Sequence, residues 1–116
     1  MSRMLLLIAG LLVGLHWYAT RGPAPGDPRL GAADGDITML SATWCGYCDA
    51  LRGDLDRMGV AYQELDIEDG AAGEAAFDAI GARGVPVLLV GQKVIKGYDP
   101  ESARQLIVAA GHAVNR

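Results

Sequence analysis

The chain is short of the residues that most binding chemistries need. Lys and Arg number 10 against 14 Asp and Glu, giving a net charge of −4 over 116 residues. That balance argues against nucleic acid as the main partner, because gripping phosphates takes a basic surface. The acids between 49 and 78 are scattered rather than blocked and read as a solvated surface. There are two histidines, His16 and His112, in or beside the terminal segments, a poor supply for a zinc site that wants four ligands. Internal repeats are absent, and the length leaves room for one domain and an appendage.

The hydrophobic fraction of 51% is inflated by the N-terminus. Residues 4–13 are uninterrupted apolar or Gly, and Gly14-Leu15-His16-Trp17-Tyr18 follows. Arg3 gives a positive start, and Trp17-Tyr18 resembles the aromatic belt of a membrane interface. Residues 1–20 are therefore expected to form an anchor or signal segment, although 4–20 is at the short end for a span of about 20 residues. A cleaved signal peptide is the rival, poorly served by Trp17 at the −3 position of a cut after Ala19. The expected location is membrane-associated, at a bacterial inner membrane with the periplasmic face favoured. Arg3 opposes Arg21 and Arg29 on the other flank, so charge bias hardly decides orientation. Residues 21–35, with Pro23, Pro25 and Pro28, read as a semi-extended Gly/Pro/Ala-rich linker. The folded unit, 36–116, then begins near Asp36.

The two cysteines are Cys45 and Cys48, spaced Cys-X-X-Cys where an apolar run gives way to a helix. A thiol on the first helical turn faces unpaired N–H groups and the positive end of the helix dipole, which favour thiolate. Lowering a thiol pKa by one unit takes about 1.4 kcal/mol, within reach of a helix terminus and one or two hydrogen bonds. Cys45, nearer the tip, is expected to be the exposed attacking sulfur, and Cys48, one turn in, resolves the mixed disulfide. A structural disulfide across so small a loop restrains the unfolded chain little. A metal or cluster site and a pair of inert thiols are the other readings.

Periodicity places these residues. The segment 37–43 reads as a strand and its exit. Leu51, Leu55 and Met58 make one apolar face of a helix that Gly59 ends. Residues 61–67 alternate as a second strand, and 68–80 form an Ala-rich helix with Phe77 and Ile80 as core positions. Residues 85–90 are a buried strand entered through Pro86, turned at Gly91-Gln92 into a hairpin partner over 93–96. Asp99 caps a last helix with Pro100 at its first position and Ala103, Leu106, Ile107 and Ala110 on one face. The order β-α-β-α-β-β-α, with a right-handed crossover, predicts an α/β fold with a four-stranded mixed sheet flanked by helices.

With that order and these motifs, residues 36–111 resemble the glutaredoxin family of the thioredoxin fold. Trp44-Cys45-Gly46-Tyr47-Cys48 sits at the helix start. Gly81-Ala82-Arg83-Gly84-Val85-Pro86 resembles the stretch leading into the family's cis-proline, and Gly97-Tyr98-Asp99 stands where glutaredoxins carry a Gly-Gly-X-Asp turn. The resemblance implies a thiol–disulfide oxidoreductase with Cys45 and Cys48 catalytic, no covalently bound cofactor, and glutathione as co-substrate. Its implied partners are disulfide-containing or glutathionylated proteins. Tyr47, Arg83, Val85, Pro86, Gly97, Tyr98 and Asp99 are the implied substrate and glutathione contacts.

The sequence also departs from the pattern. Ala42 replaces a lysine common three residues before the first cysteine, and Lys96 replaces the first glycine of the turn. Gly84 stands for the usual threonine, and Gly46 for the common proline. Met39 lies where thioredoxins usually carry a buried aspartate. Two alternatives follow: a glutaredoxin holding a [2Fe–2S] cluster between two subunits with glutathione, and a glutathione-independent dithiol oxidant or isomerase in an oxidising compartment.

Overall fold

The computed structural model describes residues 2–19 and 24–115. Arg21 and Pro23 of the expected linker lie outside them. Its elements are α1 (Ser2–Ala19), β1 (Ile37–Ser41), α2 (Gly46–Met58), β2 (Gln63–Asp66), α3 (Ala71–Ile80), β3 (Val87–Val90), β4 (Lys93–Lys96) and α4 (Pro100–Ala109). After α1 the order is the one read from the sequence. The sheet runs β2-β1-β3-β4, with β1 parallel to β2 and antiparallel to β3, and β3 antiparallel to β4. This is a thioredoxin-like α/β fold.

All five residues of β1 are buried, as a central strand covered on both faces must be. Side-chain alternation then splits the core in two. Met39, Leu88 and Val90 pack with Leu51 and Leu55 of α2 and Ile107 of α4. Leu40, Val87 and Leu89 pack on the other face with Ala76 of α3 and the half-buried Phe77 and Ile80. So α2 and α4 cover one face and α3 the other, with Leu51, Leu55 and Met58 inward as their spacing predicts.

Two stretches differ from the sequence reading. The third helix starts at Ala71, not 68, because the Asp66 carboxylate accepts the Glu68 N–H at 2.8 Å and Gly70 precedes the helix with φ 96°. At Gly73 a Cβ would stand 1.9 Å from the Asp66 carbonyl oxygen, so only glycine lets α3 close onto the end of β2. Residues 24–36 are not a semi-extended spacer: successive turns close at Asp27 N–Ala24 O, Leu30 N–Asp27 O and Asp36 N–Ala33 O. Asp27 is 3% exposed, ion-paired to Arg29 at 2.5 Å, which holds its carboxyl below the usual range.

A membrane-spanning anchor is not shown. Residues 2–19 form one helix, yet among the described residues no helix is long and apolar enough to cross a membrane. Eighteen residues reach about 27 Å against a hydrocarbon core of about 30 Å, and Arg3 and His16-Trp17-Tyr18 occupy the two ends.

Candidate active site

The end of β1 delivers the chain to α2, and Cys45 is the N-cap of that helix, with φ −92° and ψ 106°. Its sulfur accepts the backbone N–H of Cys48 at 3.1 Å, the capping bond that a Ser or Asp oxygen makes elsewhere. Cys45 and Cys48 are joined in a disulfide with Cα atoms 5.2 Å apart. Cys48 is fully buried, whereas Cys45 keeps 5% exposure. The order of access is the one expected, but Cys45 is reached through a narrow window rather than standing open. Met39 and Ala42 pack in the same buried cluster as both sulfurs, so the floor beneath the dithiol is apolar.

A second wall faces the sulfurs. Cys45 Sγ lies 3.7 Å from the Val85 carbonyl oxygen, and the Val85–Pro86 bond is cis, as the motif predicts. The Pro86 carbonyl accepts the Gly97 N–H at 2.9 Å, and Val87 pairs with Lys96 in the β3–β4 register. The hairpin thereby brings residues 96–99 beside 85–86. The Tyr98 ring stacks on Tyr47 of the first turn of α2, centroids 5.5 Å apart. Its hydroxyl donates to Asp54 at 2.6 Å, a bond that raises the Tyr98 pKa. Asp99 caps α4, accepting the Ser102 N–H at 3.1 Å and the Ser102 hydroxyl at 2.7 Å. These two bonds, the hydroxyl first, lower its pKa.

Arg83 lines a concavity of about 330 Å³ with Gly81, Gly84, Val85, Lys96 and Gly97. Of the expected contact residues, Val85 touches Cys45, Arg83 and Gly97 share the concavity with Val85, Tyr98 stacks on Tyr47, and the Asp99 carboxylate is engaged as a cap. A larger cavity of about 640 Å³ lies at the opposite end of the sheet, lined by Asp36, Ile37, Tyr62 and His112, away from the sulfurs. No group of three His, Cys, Asp or Glu able to hold a metal occurs among the described residues.

Two partners escaped the sequence reading. Trp44 Nε1 donates to Glu68 at 2.6 Å, fixing an exposed indole beside Cys45, and Asp54 receives Tyr98. These pairs are 24 and 44 residues apart, and no local pattern links them. The Asp99-X-X-Ser102 spacing, by contrast, was a readable capping signal.

Comparison with known proteins agrees with this geometry. The glutaredoxin family profile matches residues 37–95. A glutaredoxin from Ricinus communis is 36% identical over 72 residues, 59% of this chain and 71% of that protein. The crystal structure of a buckwheat glutaredoxin–glutathione complex superposes with a TM-score of 0.53 at 28% identity, over 64% of this chain and 74% of that one. The glutaredoxin of Archaeoglobus fulgidus gives a TM-score of 0.57 at 26% identity, over 68% and 90%.

Proposed function

The chain belongs to the glutaredoxin family and is a thiol–disulfide oxidoreductase; on that premise we propose that it reduces protein and glutathione mixed disulfides, with glutathione as its electron donor. The observation that supports the roles most directly is the Cys48 N–H donated to Cys45 Sγ at 3.1 Å. An N-cap acceptor gains from negative charge, so the reduced Cys45 is held toward thiolate.

In the reaction, the Cys45 thiolate attacks one sulfur of the substrate disulfide. That S–S bond breaks, the departing thiolate takes a proton from water, and Cys45 remains in a mixed disulfide. Cys48 loses its proton and attacks Cys45, which forms the Cys45–Cys48 disulfide and releases the second substrate thiol. Two electrons have passed to the substrate, and two glutathione thiols return them by forming glutathione disulfide. The Val85 backbone offers a place for the substrate chain to pair as an added strand. Arg83 supplies positive charge for a glutathione carboxylate, and the backbone at Tyr98–Asp99, just before α4, offers N–H groups for another.

The test is glutathione-dependent reduction of a glutathionylated peptide by the full chain. Turnover is expected. No turnover, with the dithiol still reacting stoichiometrically, would replace glutathione with another donor.

Location follows from α1, which exposes apolar side chains around its whole surface, Leu6 and Leu7 being 73% and 74% accessible. Leaving that much apolar area in water is unfavourable by about 25 cal/mol per Å². We infer that α1 seats in a membrane interface, holding the domain at a lipid surface. Co-sedimentation of the full chain with lipid vesicles should be complete, and a chain left in the supernatant would refute it.

A further inference from the structure

The concavity beside Val85 is the one place near the dithiol where cations gather unmatched. It is lined by Gly81, Arg83, Gly84, Val85, Lys96 and Gly97, holds about 330 Å³, and has no acidic residue in its wall. The other arginines between residues 24 and 115 are engaged. Arg29 pairs with Asp27, Arg52 with Asp49 and Glu64, and Arg57 with Asp54, while Arg104 donates to the Asn115 carbonyl. The side chains of Arg83 and Lys96 make no hydrogen bond or ion pair among the described residues. In a chain of net charge −4, two unpaired cations lining one hollow without an acidic residue mark a local reversal of field.

The hollow also adjoins the reacting sulfur. Val85 belongs to its wall, and the Val85 carbonyl lies 3.7 Å from Cys45 Sγ. Lys96 stands opposite Val87 in the hairpin register, and Gly97 is bonded to Pro86. A substrate chain lying along Val85 with its cysteine at Cys45 has its neighbouring residue about 3.5 Å further along, within reach of both cations.

We propose that Lys96, together with Arg83, is a specificity-determining residue that holds a carboxylate carried next to the substrate's disulfide-bonded cysteine. Acid-flanked protein disulfides are then the preferred substrates. This deepens the oxidoreductase reading and rests on it. A glutathionyl group also brings carboxylates, so the test must separate the two sources. Both cations are exposed, where ion pairs are individually weak, so a preference of about three- to tenfold is the expected scale.

The experiment is single-turnover reduction by the pre-reduced full chain. Its substrates are peptides whose one cysteine is linked to a small neutral thiol, with Glu, Gln or Lys on either side. A fourth peptide carries glutathione with Gln flanks. The readout is the Glu-to-Gln rate ratio, which a merely structural loss would leave alone. The wild type should favour Glu about three- to tenfold at low salt, and the ratio should shrink as salt rises. Lys96→Gln should reduce the ratio, and Lys96→Glu should turn the preference toward Lys. A wild-type ratio near one, or a ratio unmoved by both variants, overturns the proposal while the oxidoreductase reading stands. A response to Lys96→Glu confined to the glutathionylated peptide overturns it in favour of glutathione as the source. Reduction of no peptide at all overturns the oxidoreductase reading and the proposal with it.

Discussion

The two walls of the active site are built in different ways. The dithiol wall is one contiguous stretch, 44–48, at the start of a helix whose inner face is locked into the core by Leu51 and Leu55, both essentially inaccessible. The facing wall is assembled from two stretches, 81–86 and 96–99, joined by the β3–β4 hairpin and the Gly97–Pro86 bond, with polar bonds from Tyr98 to Asp54 and from Ser102 to Asp99 at its edge. The first wall takes its position from buried apolar packing and a helix dipole, and the second from hairpin register and exposed hydrogen bonds. Chemistry therefore sits on the rigid wall, and substrate selection on the wall that tolerates change.

The largest expected effect is on the first wall. Cys45→Ser should abolish turnover of every substrate. Cys48→Ser should stop protein-disulfide reduction while sparing a one-cysteine route with glutathionylated peptides, so parallel assays of the two variants separate attack from resolution. Identical behaviour of the two would break the division of roles. Next in size is Leu55→Ala, which empties a fully buried site under α2 and should cost about 2–5 kcal/mol in denaturant unfolding.

Changes to the second wall should be smaller. Tyr98→Phe keeps the stack on Tyr47 but removes the bond to Asp54, and should lower the thermal midpoint by less than Leu55→Ala does. A larger loss than Leu55→Ala gives would erase the contrast between the walls. The smallest effect is pH-dependent. The bonds from Ser102 hold the Asp99 pKa below its usual 3.8, so the native state favours its ionised form. The resulting stability is fully present above the unfolded value and is lost as pH falls through the lower native value. The midpoint difference between wild type and Asp99→Asn should thus be constant near neutrality and shrink below about pH 3.8.

The same contrast explains what could be read from the sequence. Cys45, Cys48, the apolar face of α2 and the Asp99 cap are short-range patterns, and each is where its spacing puts it. The order of elements also followed, because alternating or buried apolar runs and helical periodicity separate strands from helices locally. Partners at long separation, Tyr98 with Asp54 and Trp44 with Glu68, depend on how the hairpin and the β2–α3 loop return to α2, which no local rule states. The stretch 24–36 misled for a related reason. Its Pro and Gly content signals the absence of helix and strand, but not the Gln92 amide bonded to the Arg29 carbonyl or the close approach of Gly26 to Ala75, which tie it to the domain. The apolar run near the N-terminus was legible as a distinct segment, and it is one helix that falls short of the length and apolarity of a crossing.

The central claim is that Cys45 attacks and Cys48 resolves, because only Cys45 combines the capping N–H with any access to solvent. Trapping tests it most directly: each single-serine variant, reduced, is mixed with a glutathionylated peptide and its adduct located by peptide mass mapping. The account predicts a mixed disulfide on Cys45 in Cys48→Ser and none forming at a comparable rate in Cys45→Ser. An adduct forming as fast on Cys48 would contradict it.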